Sequence, residues 1–289
     1  HPVAHSFPTR RSSDLRPSTG RPYNWYVKGY FTEKEKVLKH WEKYGRPSEM
    51  LNPEEDFSPQ KWEKYVDALS PYYYPMASYV VSLFTTISDA MGLNRLSYYM
   101  RKDPAFVHQI FGEYADLNVE VINGCADAGV EIFFYGDDLG QKNRGLVSPR
   151  NFKEFILPQY KKMFGAAKKR GMFVVQHSCG NVTEYVPHLI EVGLDCLQSL
   201  EPASGMNLTQ LKEDHGNDLA FMGGIDSSVV CTFGTSRDVV DNVKQCLKAG
   251  TTGGGYFVGP AHDILAVPWD NMLALRDAIN KYRTLPLNF

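Results

Sequence analysis

From residue 72 onward the chain alternates between short apolar runs and longer segments of helical spacing. No other feature restricts its fold as much. The apolar runs are Tyr72–Val81, Val130–Phe134, Met172–Gln176, Leu194–Leu197, Leu219–Met222 and Gly255–Val258. Between and after them lie Pro104–Ala128, Pro149–Arg170, Val182–Val192, Leu208–His215, Ser236–Ala249 and Asn271–Lys281, which are expected as helices. Strands buried on both faces read as continuous apolar runs, so the pattern predicts β-α units around a parallel sheet. Asp103-Pro104, Ser148-Pro149 and Ser236 supply helix starts. Gly171, Gly193 and Gly250 follow their helices, where a left-handed C-cap is expected.

Six strand-helix units fit an eightfold (β/α)8 TIM barrel that lacks its N-terminal portion, and they also fit an open doubly wound sheet. Asp137-Asp138, His177 with Cys179, Glu201, Asp226 and His262 all follow apolar runs. In a barrel such loops converge on one mouth, whereas fewer meet at the crevice of an open sheet, which favours the barrel. No GxGxxG or Walker-type sequence joins a strand to a helix, so neither a dinucleotide nor an ATP site is indicated. Upstream, Glu33–Tyr44 carries Val37, Leu38 and Trp41 on one side. Ser58–Leu69 similarly spaces Trp62, Tyr65, Val66 and Leu69 as a packing face.

Residues 16–289 are expected to form one truncated barrel domain. Residues 1–15 are expected to be a non-native or disordered tail: Ser6–Leu15 resembles translated sequencing-adapter read-through, and the stretch lacks the apolar core of a secretory signal. A formal net charge of -2 and the lack of a basic stripe argue against a nucleic-acid partner. The longest apolar stretches fall short of a membrane span. Five dispersed cysteines read as reduced thiols, giving a cytoplasmic location as the default.

His177 and Cys179 stand two residues apart where a strand becomes a loop, close enough to share a metal. Zinc suits a thiolate and a neutral imidazole, while the alternative is a hydrogen-bonding histidine beside an inert buried thiol. His262 is a candidate anion contact, proton carrier or third metal ligand, or else an exposed capping residue. Asp138 and Asp137 divide between substrate binding and orientation, against the alternative of solvated turn carboxylates. Gln141 and Arg144 share the following loop, where Arg144 can hold a substrate carboxylate or form a surface ion pair. Asp226 is a candidate substrate contact, with turn capping by its neighbours as the alternative, and Glu201 offers a metal-bound or substrate-bound carboxylate. Tyr72–Tyr74 and Met76 suit buried core better than an aromatic pocket, with Tyr74 retained as a candidate substrate contact. Cys125, Cys196, Cys231 and Cys246 receive no chemical role.

Five motifs in this order and spacing resemble the uroporphyrinogen decarboxylase superfamily: Asp137-Asp-Leu-Gly140, Leu146-Val-Ser-Pro149, His177-Ser-Cys-Gly-Asn181, Gly223-Gly-Ile-Asp226 and Gly259-Pro-Ala-His262. The last is followed by Val267-Pro and Asn271. The resemblance runs from about Tyr72 to Tyr282 and more weakly back to Arg21. It implies a β/α barrel in a superfamily that also contains corrinoid-linked methyltransferases. In the decarboxylase branch no cofactor is used, a late-strand histidine resembling His262 helps bind the tetrapyrrole, and an early arginine loop is expected that is not visible here. In the methyltransferase branch a His-x-Cys pair and a later cysteine hold zinc. No cysteine occurs in Gly259–Asp263, so the resemblance implies either that His262 or Glu201 completes the set with His177 and Cys179, or that no metal is bound.

The resemblance therefore implies, first, a zinc-assisted methyltransferase exchanging a methyl group between a partner corrinoid protein and a small substrate or thiol acceptor. The alternatives are a metal-free uroporphyrinogen decarboxylase of heme biosynthesis and an inactive barrel with a binding or regulatory role. Dimerisation through the barrel is familiar in the superfamily. A barrel without its opening strand exposes backbone edges, so this chain is expected to be less soluble as a monomer than one with that strand restored. Equal solubility and equal thermal midpoints of the two would refute that expectation.

Overall fold

A computed structural model describes residues 10–15, 22–49, 59–71, 73–74, 76–77, 81–264, 266–287 and 289. The chain divides into two compact units, His1–Glu131 with Lys153–Met172, and Ile132–Phe152 with Phe173–Phe289.

The first unit is largely helical. Arg10–Leu15 (β1) of the opening stretch pairs antiparallel with Pro22–Lys28 (β2). Helix Lys34–Tyr44 buries Val37 and Trp41 and leaves Leu38 at the surface. In Pro59–Leu69 the expected packing face is only partly covered: Trp62 and Val66 are half-buried, and Tyr65 and Leu69 are exposed. An apolar stripe reports amphipathicity and does not set how deeply a helix packs. Two helices that the apolar pattern did not announce, Leu83–Met91 and Leu93–Lys102, meet at Gly92, whose φ of 86° closes one and opens the other without a capping side chain. Asp103 then caps Pro104–Asp127 by accepting from the Phe106 N–H. Of the expected strand Tyr72–Val81, only Met76–Ala77 (β3) is extended among the described residues, and Tyr72, Pro75 and 78–80 lie outside them. Tyr73, Tyr74 and Met76 are exposed, which corrects their assignment to buried core.

The expected helix Pro149–Arg170 is three elements: a turn Pro149–Asn151, a π turn Phe152–Ile156 and the α-helix Leu157–Lys169. Pro158 has no N–H for the carbonyl four residues earlier, and the chain takes the wider π spacing just ahead of it.

The second unit is built on five parallel strands in the order Tyr256–Pro260 (β10), Ala220–Ile225 (β9), Cys196–Ser199 (β8), Phe173–His177 (β7) and Ile132–Gly136 (β4). Gly140–Gln141 (β5) and Arg144–Gly145 (β6) form a small hairpin after β4. This is an α/β fold with a parallel core. The strands end later than the apolar runs do: His177 is the last residue of β7, paired with Gly136 on one side and Gln198 on the other. Backbone pairing is indifferent to side-chain polarity, so strands continue into the polar residues at their ends.

Helix Ser236–Gly250 opens with a reciprocal capping box between Thr235 and Asp238. It buries Val239, Val243 and Leu247 in a cluster with Ile225, Leu275 and Ala278. Gly171 and Gly193 adopt positive φ as expected, 74° and 101°. Gly250 does not: it is the last residue of its helix, and a Cβ there would stand 2.4 Å from the Tyr256 ring. Close packing, not a C-cap, accounts for that glycine. Among the described residues no helix is long and apolar enough to cross a membrane.

Replacing Thr235 by alanine removes one half of the capping box and is expected to cost about 1 kcal/mol in urea unfolding, with Thr235→Ser near neutral. Gly250→Ala is expected to cost more than Thr235→Ala, because the Tyr256 ring must move.

Candidate active site

Gly136, His177 and Gln198 lie side by side at the ends of β4, β7 and β8. The loops leaving these strands bring Asp138, Cys179 and Glu201 to the same level. The hairpin β5–β6 clamps the Cys179 loop through backbone bonds: Gly140 N–H donates to the Cys179 carbonyl at 3.1 Å, and Asn181 N–H to the Gln141 carbonyl at 2.9 Å. Gly180 has φ 78°, and a Cβ on it would stand 2.2 Å from the carbonyl carbon of Gly140. Only glycine fits there. Asn181 accepts from the Thr183 N–H at 3.1 Å and so fixes the exit of the loop.

His177 Nδ1 lies in a short hydrogen bond with the side-chain oxygen of Gln198. An amide oxygen only accepts, so in the neutral imidazole the proton sits on Nδ1 and Nε2 carries the lone pair, while in the protonated ring Nε2 donates to Asp138. Nε2 stands 3.2 Å from Cys179 Sγ and 3.5 Å from Asp138 Oδ1. Asp138 Oδ1 also accepts from the Cys179 N–H at 2.8 Å. One donor atom from each of Asp138, His177 and Cys179 falls within 4.8 Å of the others. They line a cleft of about 490 Å³ with Phe134 and Pro260 as apolar wall and His262 and Asp263 at the rim.

The charges in this cleft are uneven. Burial raises the Asp138 carboxyl, but hydrogen bonds from His177 and the Cys179 N–H outweigh it and hold the group at about 2. Burial lowers His177, and the bonds to Asp138 and Gln198 more than compensate, leaving it raised. Cys179 is pushed far above the usual thiol range, first by burial and then by the negative charges of Asp138, Glu201 and Asp263. A thiol among three carboxylates is a poor nucleophile by itself and a favourable place for a cation. Two ligands of a tetrahedral zinc stand roughly 3.5 Å apart, close to the separations of His177 Nε2 from its two neighbours. The donor set of nitrogen, sulfur and carboxylate oxygen fits zinc.

The remaining candidates are distributed as follows. His262 faces the same cleft, its ring centroid 6.4 Å from that of His177, but it lies outside the three-residue cluster. Its Nδ1 accepts from the Asp263 N–H at 2.7 Å. Glu201 is outside the cluster too, and its Oε2 accepts from Gly180 N–H at 3.1 Å and the Ser204 hydroxyl at 2.8 Å. Asp137 is buried and takes a 3.4 Å bond from the Tyr135 hydroxyl. Asp226 turns its Oδ1 to the N–H groups of Ser228 and Val229, capping its own turn. Gln141 and Arg144 face each other across the hairpin, with Arg144 exposed. Tyr74 belongs to the other unit, is exposed and donates to Glu131. The sequence reading missed Gln198, Asp263, Phe134 and Pro260. Gln198 had a signal, a lone amide in Cys196–Ser199, but its meaning depends on its pairing with His177. The other four cysteines are buried free thiols.

Residues 64–282 match the family model described as Uroporphyrinogen decarboxylase (URO-D). The methylated-thiol–coenzyme M methyltransferase of Methanosarcina mazei is 23% identical over 250 residues, 81% of this chain. The chain spans 65% of that relative's length, just under two thirds. A solved methyltransferase from Methanosarcina mazei has the same fold, with a TM-score of 0.68 at 17% identity over 95% of this chain and 76% of that one.

In metal-free folded protein, Cys179 is expected to react with iodoacetamide at pH 8 more slowly than a free cysteine, because its thiol is held protonated. Asp138→Asn removes a negative charge, lowers the thiol's pKa and should speed the reaction. A Cys179 that reacts at the free rate would show that the surrounding carboxylates do not act on it.

Proposed function

The chain belongs to the uroporphyrinogen decarboxylase family, and we propose that within it the chain acts as a methyltransferase, exchanging a methyl group between a corrinoid protein and a thiol with zinc at Cys179. The observation that carries this reading is the Asp138-His177-Cys179 cluster inside the cleft. Removing a carboxylate from a pyrrole side chain has no need of a thiol, whereas activating a thiol has a clear need of a soft cation. The methylated-thiol relative supports the same choice.

His177, Cys179 and Asp138 would hold the ion, with His262 across the cleft as a further ligand or a proton carrier. Zinc supplies a thiolate near neutral pH where the free acceptor is a thiol. Gln198 keeps the His177 proton on Nδ1 and so keeps Nε2 available. Asp138 fixes the Cys179 backbone and contributes negative charge. His262 accepts at Nδ1 from its neighbour's N–H, so in its neutral form the proton sits on Nε2, able to meet a developing anion in the cleft. Phe134 and Pro260 supply the apolar part of the cleft's lining. On the same reading the five parallel strands belong to a closed eight-stranded barrel, with these loops at its C-terminal mouth.

Elemental analysis of the purified protein is expected to find close to one zinc per chain, with nearly all of it lost in Cys179→Ala. Gln198→Ala should weaken zinc binding by about 10- to 100-fold, as for other partners that orient a metal-binding histidine. Methylcobalamin demethylation by a small thiol, followed by absorbance, should require the bound metal. Metal-free protein that decarboxylates uroporphyrinogen would overturn the proposal.

A further inference from the structure

Ser199 and Leu200 hold the most strained backbone beside the cleft. Both are buried, with φ of 107° and 57°, where a Cβ crowds the peptide and glycine is the usual occupant. Among the described residues only Asn143 otherwise has positive φ without being glycine. Such a conformation persists where the surroundings over-determine it. Ser199 pairs with Gly223 of β9, at which a Cβ would stand 2.4 Å from the Ser199 carbonyl oxygen. The Ser199 hydroxyl donates to the Ala261 carbonyl at 2.8 Å, and the Ala261 N–H donates to the Ile225 carbonyl at 2.8 Å. The end of β8 is thereby pinned to the segment that carries His262. Two residues later Glu201 turns back to accept from Gly180 N–H.

We propose that Ser199 is a positioning residue for the Cys179 loop: its hydroxyl, tied to Ala261, holds the left-handed turn that aims Glu201 at Gly180 and so sets Cys179 in the cleft. The inference rests on the role proposed above for Cys179. Glycine would adopt this backbone more easily than serine does, so the backbone alone gives no reason for a serine. The side-chain tie to Ala261 does. It also links the two sides of the cleft, since whatever moves the His262 segment moves the β8 turn with it.

Three variants test this. Ser199→Gly keeps the turn accessible and removes the tie, Ser199→Ala removes the tie and keeps the Cβ, and Glu201→Gln weakens the far end of the route. Zinc affinity by chelator competition and the alkylation rate of Cys179 in metal-free protein are read beside the thermal midpoint. Ser199→Gly is expected to keep its midpoint, bind zinc about 10-fold more weakly and alkylate several-fold faster. Ser199→Ala should shift affinity and alkylation in the same direction. Adding Glu201→Gln to Ser199→Gly should change little further, because residues on one route are not additive. Multiplicative effects, or unchanged affinity and alkylation in Ser199→Gly, would overturn the inference. If the wild-type protein binds no zinc, the metal reading fails, and the alkylation rates alone decide the role of Ser199.

Discussion

Gly140 and Gly180 meet with no room for a side chain on either, and the candidate site depends on that contact. The approach lets the hairpin after β4 and the loop after β7 share two backbone hydrogen bonds. Those bonds hold Cys179 next to the imidazole that ends β7 and the carboxylate that follows β4. Two loops from two strands thus behave as one body. A methyl group at either glycine would stand within 2.6 Å of the facing backbone, so the two loops would have to move apart. The parallel register beneath does the rest, because it puts Gly136, His177 and Gln198 at one height.

The electrostatic character of the cleft follows from this placement. A histidine hydrogen-bonded through Nδ1 to an amide and a thiol set close to several carboxylates give the cleft a negative character. The same groups on a solvated surface would each titrate near their usual values. Held together and partly buried, they oppose thiolate formation at Cys179.

Much of this was legible in the sequence and some was not, for physical reasons. Apolar runs located five of the parallel strands, and the residues just past them named His177, Cys179, Asp138 and His262. Periodicity could not say that β7 continues through His177, since pairing is a property of the backbone. It could not find Gln198, whose role exists only across a strand pair. It also could not tell that Asp226 would spend its carboxylate on its own turn while Asp138, with the same residue type and a similar place after a strand, would face the cleft. Upstream, exposed Tyr65 and Leu69 show that spacing reveals a helix face without revealing what covers it.

The π turn at Phe152–Ile156 bears on how this chain should be compared with others. A π turn uses one residue more than an α turn for the same hydrogen-bonded cycle. In an α-helix each residue advances the helix by about 100° around its axis. A related sequence that crosses this point in plain α geometry would need one position fewer, and an ungapped alignment would then assign every residue of Leu157–Lys169 to the wrong face. The buried set Tyr160, Met163, Phe164 and Ala167 provides the check, because only the correct offset brings apolar residues opposite apolar residues there.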